Sequence, residues 1–256
     1  MKYHNTTRLL GSLAIAVSLL LTPSFCYPAG NTWNDSFSRA KRVLEKEVYF
    51  DHRITFYCSA SFDERKRVRL PEGFTVTKHA GRAGRIEWEH VVPAENFGRA
   101  FREWREGDPR CVSGGKPYEG RRCAEKTSPE FRRMQADMYN LVPAIGAVNA
   151  MRKNYDFQLL PWVEKPVFGP VCPMKIENGR VEPPESSRGA IARTYKYMSE
   201  AYPEYRMSGQ QQKLMNAWDR MYPVSAWECL RAKRIERIQG NRNIAVREPC
   251  IAAGLW

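Results

Sequence analysis

The sequence predicts an α+β fold that is mostly helical, with a small antiparallel sheet. Two observations carry this. Apolar residues recur at helical spacing along much of the chain, while clear alternation is confined to GFTVTKHAG and RIEWEHVVP. No repeat and no low-complexity linker divides the 256 residues, a length that suits one large domain or two small ones.

Lys2 and Arg8 open the chain, an apolar run from Leu9 to Leu21 follows, and Pro23 with small residues closes the segment. That order reads as a secretory signal peptide over residues 1–29, because the apolar run falls short of the roughly 20 residues a membrane span needs. No good small-x-small pattern marks the cleavage point. Cys26 would suit a lipid anchor, but Phe25 before it fits such a site poorly. Residues 30–256 are then read as one compact mature domain.

The first helix of that domain is expected on Phe37, Ala40, Val43 and Leu44, capped by Asn34 or Asp35. GFTVTKHAG and RIEWEHVVP are expected to pair as strands around a turn at Gly81 and Gly84. A helix on Phe97, Phe101 and Trp104 should end near Gly107, and another carries Phe131, Met134 and Met138. NLVPAI, residues 140–145, is short, apolar and interrupted by Pro143. It is either an edge strand or an extended entry to the next helix, which starts near Gly146 and bears Asn149. From Pro161 to Pro184 the chain is rich in proline and glycine and reads as a long ordered loop fastened by Cys172. Three helices follow: one on Ile191, Tyr195 and Met198, one on Leu214, Trp218 and Met221, and one opened by a Ser225–Glu228 capping box and stopped near Gly240.

Without the leader, six cysteines remain: Cys58, Cys111, Cys123, Cys172, Cys229 and Cys250. An even count in an exported chain points to disulfides, and the absence of any C-x-x-C pair argues against a structural zinc site. Cys111 and Cys123 flank the turn-rich VSGGKPYEGRR and are the first choice of pair, while the pairing of the other four stays open. Lys and Arg total 41 against 28 Asp and Glu, a net charge of +13 that falls to +11 once the leader and its two basic residues are removed. Such a field attracts polyanions, whether nucleic acid, lipopolysaccharide or acidic polysaccharide.

Outside the leader the histidines are His52, His79 and His90, and His90 directly follows Glu89. Strand alternation would send the two to opposite faces, so serving one site requires the regular strand to end there, as Pro93 allows. Cutting a phosphodiester needs a base for water and positive charge for the phosphate and the leaving 3′ oxygen. A neutral imidazole suits the first task. Mg²⁺ suits the second, as a hard Lewis acid satisfied by one or two protein oxygens. The dipeptide is the minimal base-plus-metal pair, but on its own such a pair is usually a surface pair or a satisfied histidine. No HExxH and no aspartate cluster offers an alternative.

Longer strings say more. RIEWEHVVPAENFG at 85–98 and DMYNLVPAIGAVNAMRKN at 137–154, followed by RGAIARTYKYM, QQQKLMNAWDRMYPVSAWEC and RIQGNRN, closely resemble the bacterial endonuclease I family of periplasmic or secreted non-specific DNA nucleases. The likeness covers nearly all of the mature chain. It implies a ββα-metal (His-Me finger) site embedded in the α+β fold.

In that site His90 is the general base, and Glu89 with Asn149 holds one Mg²⁺, for which Mn²⁺ or Ca²⁺ can substitute. The resemblance gives Asn140 a supporting hydrogen bond, Glu87 a structural part and Trp88 a packing part. It places a phosphate-contacting arginine in the loop before Cys123. GGKPYEGRRC is longer here than the GGRKNC type of relatives, so Arg121 and Arg122 are both candidates, ahead of Lys116. Relatives commonly read GEVN where this chain has GAVN, and Ala147 is expected to be neutral, as at a position facing solvent. The implied activity is hydrolysis of double-stranded DNA, with single-stranded DNA and RNA as further substrates, giving 5′-phosphate ends. The enzyme would be a monomer in the periplasm or outside the cell. An exported basic DNA- or polyanion-binding protein without catalysis shares the charge, leader and cysteines, and is separated from the nuclease only by the EWEH and GAVN blocks.

Overall fold

The computed structural model describes Met1 and residues 30–256, so the expected signal peptide and Cys26 lie outside the described residues. Helices dominate. α1 (Phe37–Val43) runs into a π-helical turn, Leu44–Val48; α2 (Ala94–Gly98), α3 (Arg102–Arg105), α4 (Arg121–Thr127) and α5 (Pro129–Gln135) are short. α6 (Gly146–Arg152) is followed by the four long or terminal helices α7 (Glu185–Ala201), α8 (Gly209–Met221), α9 (Ala226–Gln239) and α10 (Ile244–Ala252). The strands form small sheets: β1 (Ser61–Phe62) with β2 (Val68–Arg69), β3 (Ile86–His90) with β6 (Leu141–Ile145), β4 (Val112–Ser113) with β5 (Lys116–Pro117), and a sheet in which β9 (Arg180–Glu182) lies between β7 (Asp156–Phe157) and β8 (Lys175–Glu177). The class is mixed, helix over small sheet, as expected. Among the described residues no helix is long and apolar enough to cross a membrane.

β3 and β6 are antiparallel in the register His90↔Leu141, Glu89↔Val142, Trp88↔Pro143, Glu87↔Ala144 and Ile86↔Ile145. Pro143 is tolerated because a two-stranded ladder has only edges, and its carbonyl accepts from Phe56 N at 2.8 Å. The residues of β6 are all buried, and α6 follows with no intervening loop. A fully buried Asp137 sets the entry to β6: it accepts from Tyr139 N (2.9 Å), from the hydroxyls of Tyr197 and Tyr202 (both 2.6 Å) and from Gln239 Nε2 (2.9 Å). A buried carboxylate costs several kcal/mol of desolvation unless donors replace water, and here four do.

Several expectations need correction. Ser36, rather than Asn34 or Asp35, caps α1 by accepting from Arg39 N; Asn34 braces the cap by accepting from Ser36 N at 3.0 Å. GFTVTKHAG is not a strand. Phe74 stacks on Phe168 at 5.5 Å and Thr75 N donates to Phe168 O, so the segment packs on the proline-rich loop. Its supposed partner is occupied on both sides, by β6 and, at Ile86 N, by Lys66 O. The helix on Phe97 and Trp104 breaks into α2 and α3, because Phe101 turns extended and Trp104 folds over Gly98, where an added Cβ would meet its ring at 2.3 Å. The helix on Phe131 ends at Gln135, and Met138 belongs to a 3₁₀ turn.

The 161–184 stretch contains the β8–β9 hairpin, turned by Asn178 and Gly179, both at positive φ (47° and 75°) as a type I′ turn demands. α10, capped by Asn243, has no counterpart among the expected helices. Cys111 pairs with Cys123 as expected, Cys58 with Cys172 and Cys229 with Cys250. One buried apolar cluster joins residues from Ala40 to Cys250, with the β3–β6 pair inside it.

Candidate active site

A cavity of about 320 Å³ opens at the end of β3, lined by Glu89 and His90 from the strand, Asn149 and Arg152 from α6, Arg121 from α4, and Phe37, Trp88 and Glu95 around them. Glu89 and His90 thus meet one space despite strand alternation. The ladder stops at His90, and Asn140 holds the chain as it leaves: its Oδ1 accepts from Val92 N at 2.7 Å and its Nδ2 donates to Val92 O at 2.9 Å. Both ends of the Asn140 amide are spent on backbone, so this buried side chain braces the site from beneath.

The His90 ring is buried, stacked on Phe37 at 4.9 Å and edge-on to Phe97. Its Nε2 lies 2.8 Å from the carbonyl oxygen of Gln135. A carbonyl can only accept, so the proton sits on Nε2 and Nδ1 keeps its lone pair. Burial, reinforced by the charge of Arg121, pushes the imidazole pKa down to about 3. The ring is a neutral base across the ordinary pH range.

Glu89 is 3 % exposed. Its Oε1 accepts from the Tyr57 hydroxyl at 3.0 Å and lies 3.3 Å from Arg152 Nη1, whereas its Oε2 is buried with no partner. Burial raises the carboxyl to about 7, against the pull of Arg152 and Tyr57. Arg152 also donates to the carbonyls of His90 (2.9 Å) and Val91 (2.5 Å), tying α6 to the strand end. Asn149, one turn earlier on the same helix, gives its Nδ2 to Glu87 Oε2 at 2.9 Å.

An unpartnered buried carboxylate oxygen and an amide oxygen on one cavity make a donor set of hard oxygens. Among the described residues no three His, Cys, Asp or Glu side chains converge. One carboxylate plus one amide fits Mg²⁺, which keeps most of its waters, and does not fit a structural zinc.

Arg121 and Arg122 separate clearly. Arg121 lines the cavity, its guanidinium held by Glu125 Oε1 (3.0 Å) and by Gln135 Oε1 (2.7 Å) and set 5.5 Å from the Phe37 ring. Arg122 turns away and stacks on Tyr118 at 4.6 Å, and Lys116 sits exposed in the β4–β5 hairpin. Ala147 is fully buried, so the expectation of a solvent-facing position there is not met.

Tyr57, Gln135 and Arg152 escaped the sequence reading. Gln135 acts through a backbone carbonyl, which no side-chain pattern reveals, and Tyr57 arrives from a distant loop beside Cys58. Arg152 alone left a signal, since it stands three residues after Asn149 and shares its helix face.

Comparison with known proteins agrees with the likeness of the sequence blocks. The family model described as Endonuclease I matches residues 45–250. A periplasmic deoxyribonuclease of Aeromonas hydrophila is 40% identical over 95% of this chain and 98% of its own length. An extracellular deoxyribonuclease of the same species is 40% identical over 93% and 97%. An Endonuclease-1 of Buchnera aphidicola is 35% identical over 85% of each chain. With most of its length matched by the family model, this chain belongs to the endonuclease I family.

Proposed function

We propose that this protein is an exported endodeoxyribonuclease, with residues 30–256 as a single catalytic domain behind a cleaved leader. β3, β6 and α6 are read as its ββα-metal unit. One observation carries the reading: a buried, neutral His90, tethered through Nε2 to Gln135 O, shares a cavity with Glu89, whose buried Oε2 has no hydrogen-bond partner. The names of the relatives, periplasmic and extracellular deoxyribonucleases, supply compartment and substrate class.

His90 Nδ1 takes the proton from a water in line with the scissile phosphorus, and the Gln135 carbonyl stabilises the imidazolium that forms. Glu89 Oε2 and Asn149 Oδ1 would hold a Mg²⁺ ion, or Mn²⁺ or Ca²⁺ in its place. When bound, that ion supplies Lewis acidity toward the phosphate and the departing 3′ oxygen. Arg121, fixed by Glu125 and Gln135 on the same cavity, contacts the phosphate. Products carry 5′-phosphates.

The net positive charge and the lack of a base-reading motif favour backbone contact, so double-stranded DNA is cut with weak sequence preference, and single-stranded DNA and RNA are further substrates. The test incubates supercoiled plasmid with purified protein in Mg²⁺ and in EDTA, for wild type and His90→Ala. Nicking and linearisation by wild type in Mg²⁺ alone are expected, with His90→Ala binding DNA but not cutting. Binding without cleavage by wild type would instead identify a polyanion-binding protein.

A further inference from the structure

Glu87 sits beside the site without a part in the reaction above. Its carboxylate is gripped by Arg82, which gives Nε to Oε1 at 2.9 Å and Nη2 to Oε2, and it receives Asn149 Nδ2 on the same Oε2 at 2.9 Å. A carboxylate ionised in an arginine fork has only lone pairs to offer. The end of the Asn149 amide that meets it must be the NH₂ end, and Oδ1 is left for the cavity. Packing alone cannot make that choice, since an amide has nearly the same shape in both orientations. The clamp reaches Asn149 because Gly146 opens α6: an added Cβ there would lie 2.5 Å from Arg82 O and 3.0 Å from Glu87 Oε1.

We infer that Glu87, braced by Arg82, is a positioning residue that fixes which end of the Asn149 amide is presented to the metal ion. The inference rests on the proposed ligand role of Asn149. Without Glu87 the amide is free to turn, and its NH₂ end repels a cation.

Mn²⁺ titrated calorimetrically into the mature protein, without DNA, tests this. The proteins are wild type, Glu87→Ala, Asn149→Asp and the double variant, with Asn149→Ala as a control on the ligand itself. Glu87→Ala should weaken Mn²⁺ about 10- to 100-fold beside the native Asn149, the range for groups that orient metal ligands. In the Asn149→Asp background the two oxygens of the new carboxylate are equivalent and Glu87 repels them, so the same change should leave affinity unchanged or tighten it. Equal losses in the two backgrounds would mean that Glu87 acts through charge alone and overturn the inference, as would no loss beside the native Asn149. Wild-type affinity in Asn149→Ala would instead remove the ligand assignment beneath it. Melting temperatures confirm folding; if Glu87→Ala does not fold, Glu87→Met, which keeps the side-chain volume and removes both oxygens, takes its place in the same cycle with the same expected pattern.

Discussion

Glu89 is held near pKa 7 by burial, against the opposing pull of Arg152 and Tyr57, and His90 is held near 3 by burial and the charge of Arg121. The signs follow from which state binds more protons. Between the unfolded carboxyl value of about 4.5 and 7 the folded state holds the extra proton on Glu89, so its contribution to stability falls as pH rises; His90 acts oppositely between about 3 and 6.5. A cation bound by Glu89 as proposed would have to displace its proton below about pH 7. Metal affinity should therefore rise up to about tenfold per pH unit below 7 and level off above it. Calorimetry at pH 6 and pH 8 in buffers of different ionisation enthalpy should find close to one proton released at pH 6 and almost none at pH 8; no release at pH 6 would refute an acid Glu89. The two arginines make a second prediction. Arg121→Ala should lower kcat about 10²- to 10³-fold, as for a group facing developing charge, and Arg122→Ala about twofold or less; the reverse order in plasmid cleavage would exchange their roles. That Glu89, His90 and Asn149 meet in one place was legible because local strings carry the likeness, and they do line one cavity. Which arginine lines the cavity was not, since that depends on Gln135 and Phe37 meeting it from other elements.

At the scale of elements, the β6–α6 junction matters most. Ile145 ends the strand, Gly146 N donates to Arg85 O at 2.9 Å, and the helix begins at once, which sets Asn149 and Arg152 one turn apart over the end of β3. Gly146→Ala would drive a Cβ against the Arg82 carbonyl and the Glu87 carboxylate. It should cost about 1–3 kcal/mol, the usual penalty of overpacking, read from the urea midpoint, and should weaken Mn²⁺ binding in the same variant. Stability and metal affinity both equal to wild type would show that the junction is slack. Amphipathic helices such as α7 and α8 were legible because their apolar stripes are long. Strand pairing was less so. The alternation of GFTVTKHAG has the right period, but the segment packs on Phe168 instead, and NLVPAI, short and interrupted by proline, takes the place beside β3. The β8–β9 hairpin did leave a signal, Asn178-Gly179, hidden within a proline-rich setting that reads as loop.

Across the whole molecule the disulfides tie together segments far apart in the chain, which makes folding depend on an oxidising compartment. Cys58–Cys172 closes a separation of 114 residues and fastens the loop of Tyr57 to the segment after Pro161; Cys111–Cys123 spans 12 and ends two residues past Arg121; Cys229–Cys250 spans 21 and joins α9 to α10. Loop-closure entropy makes the long link worth about 4–5 kcal/mol and each short one about 3. Together these are of the same size as the roughly 5–15 kcal/mol by which a domain is stable at all. A chain made in a reducing cytoplasm should therefore stay largely unfolded and harmless to DNA until it is exported and oxidised. Paired Cys→Ala variants should lower the urea midpoint most for Cys58 with Cys172. The Cys111 with Cys123 pair should instead lose more plasmid cleavage than its stability loss explains, because the first turn of α4, which carries Arg121, is then untethered. Fully reduced protein that remains folded and cuts plasmid at the oxidised rate would refute this compartmental control.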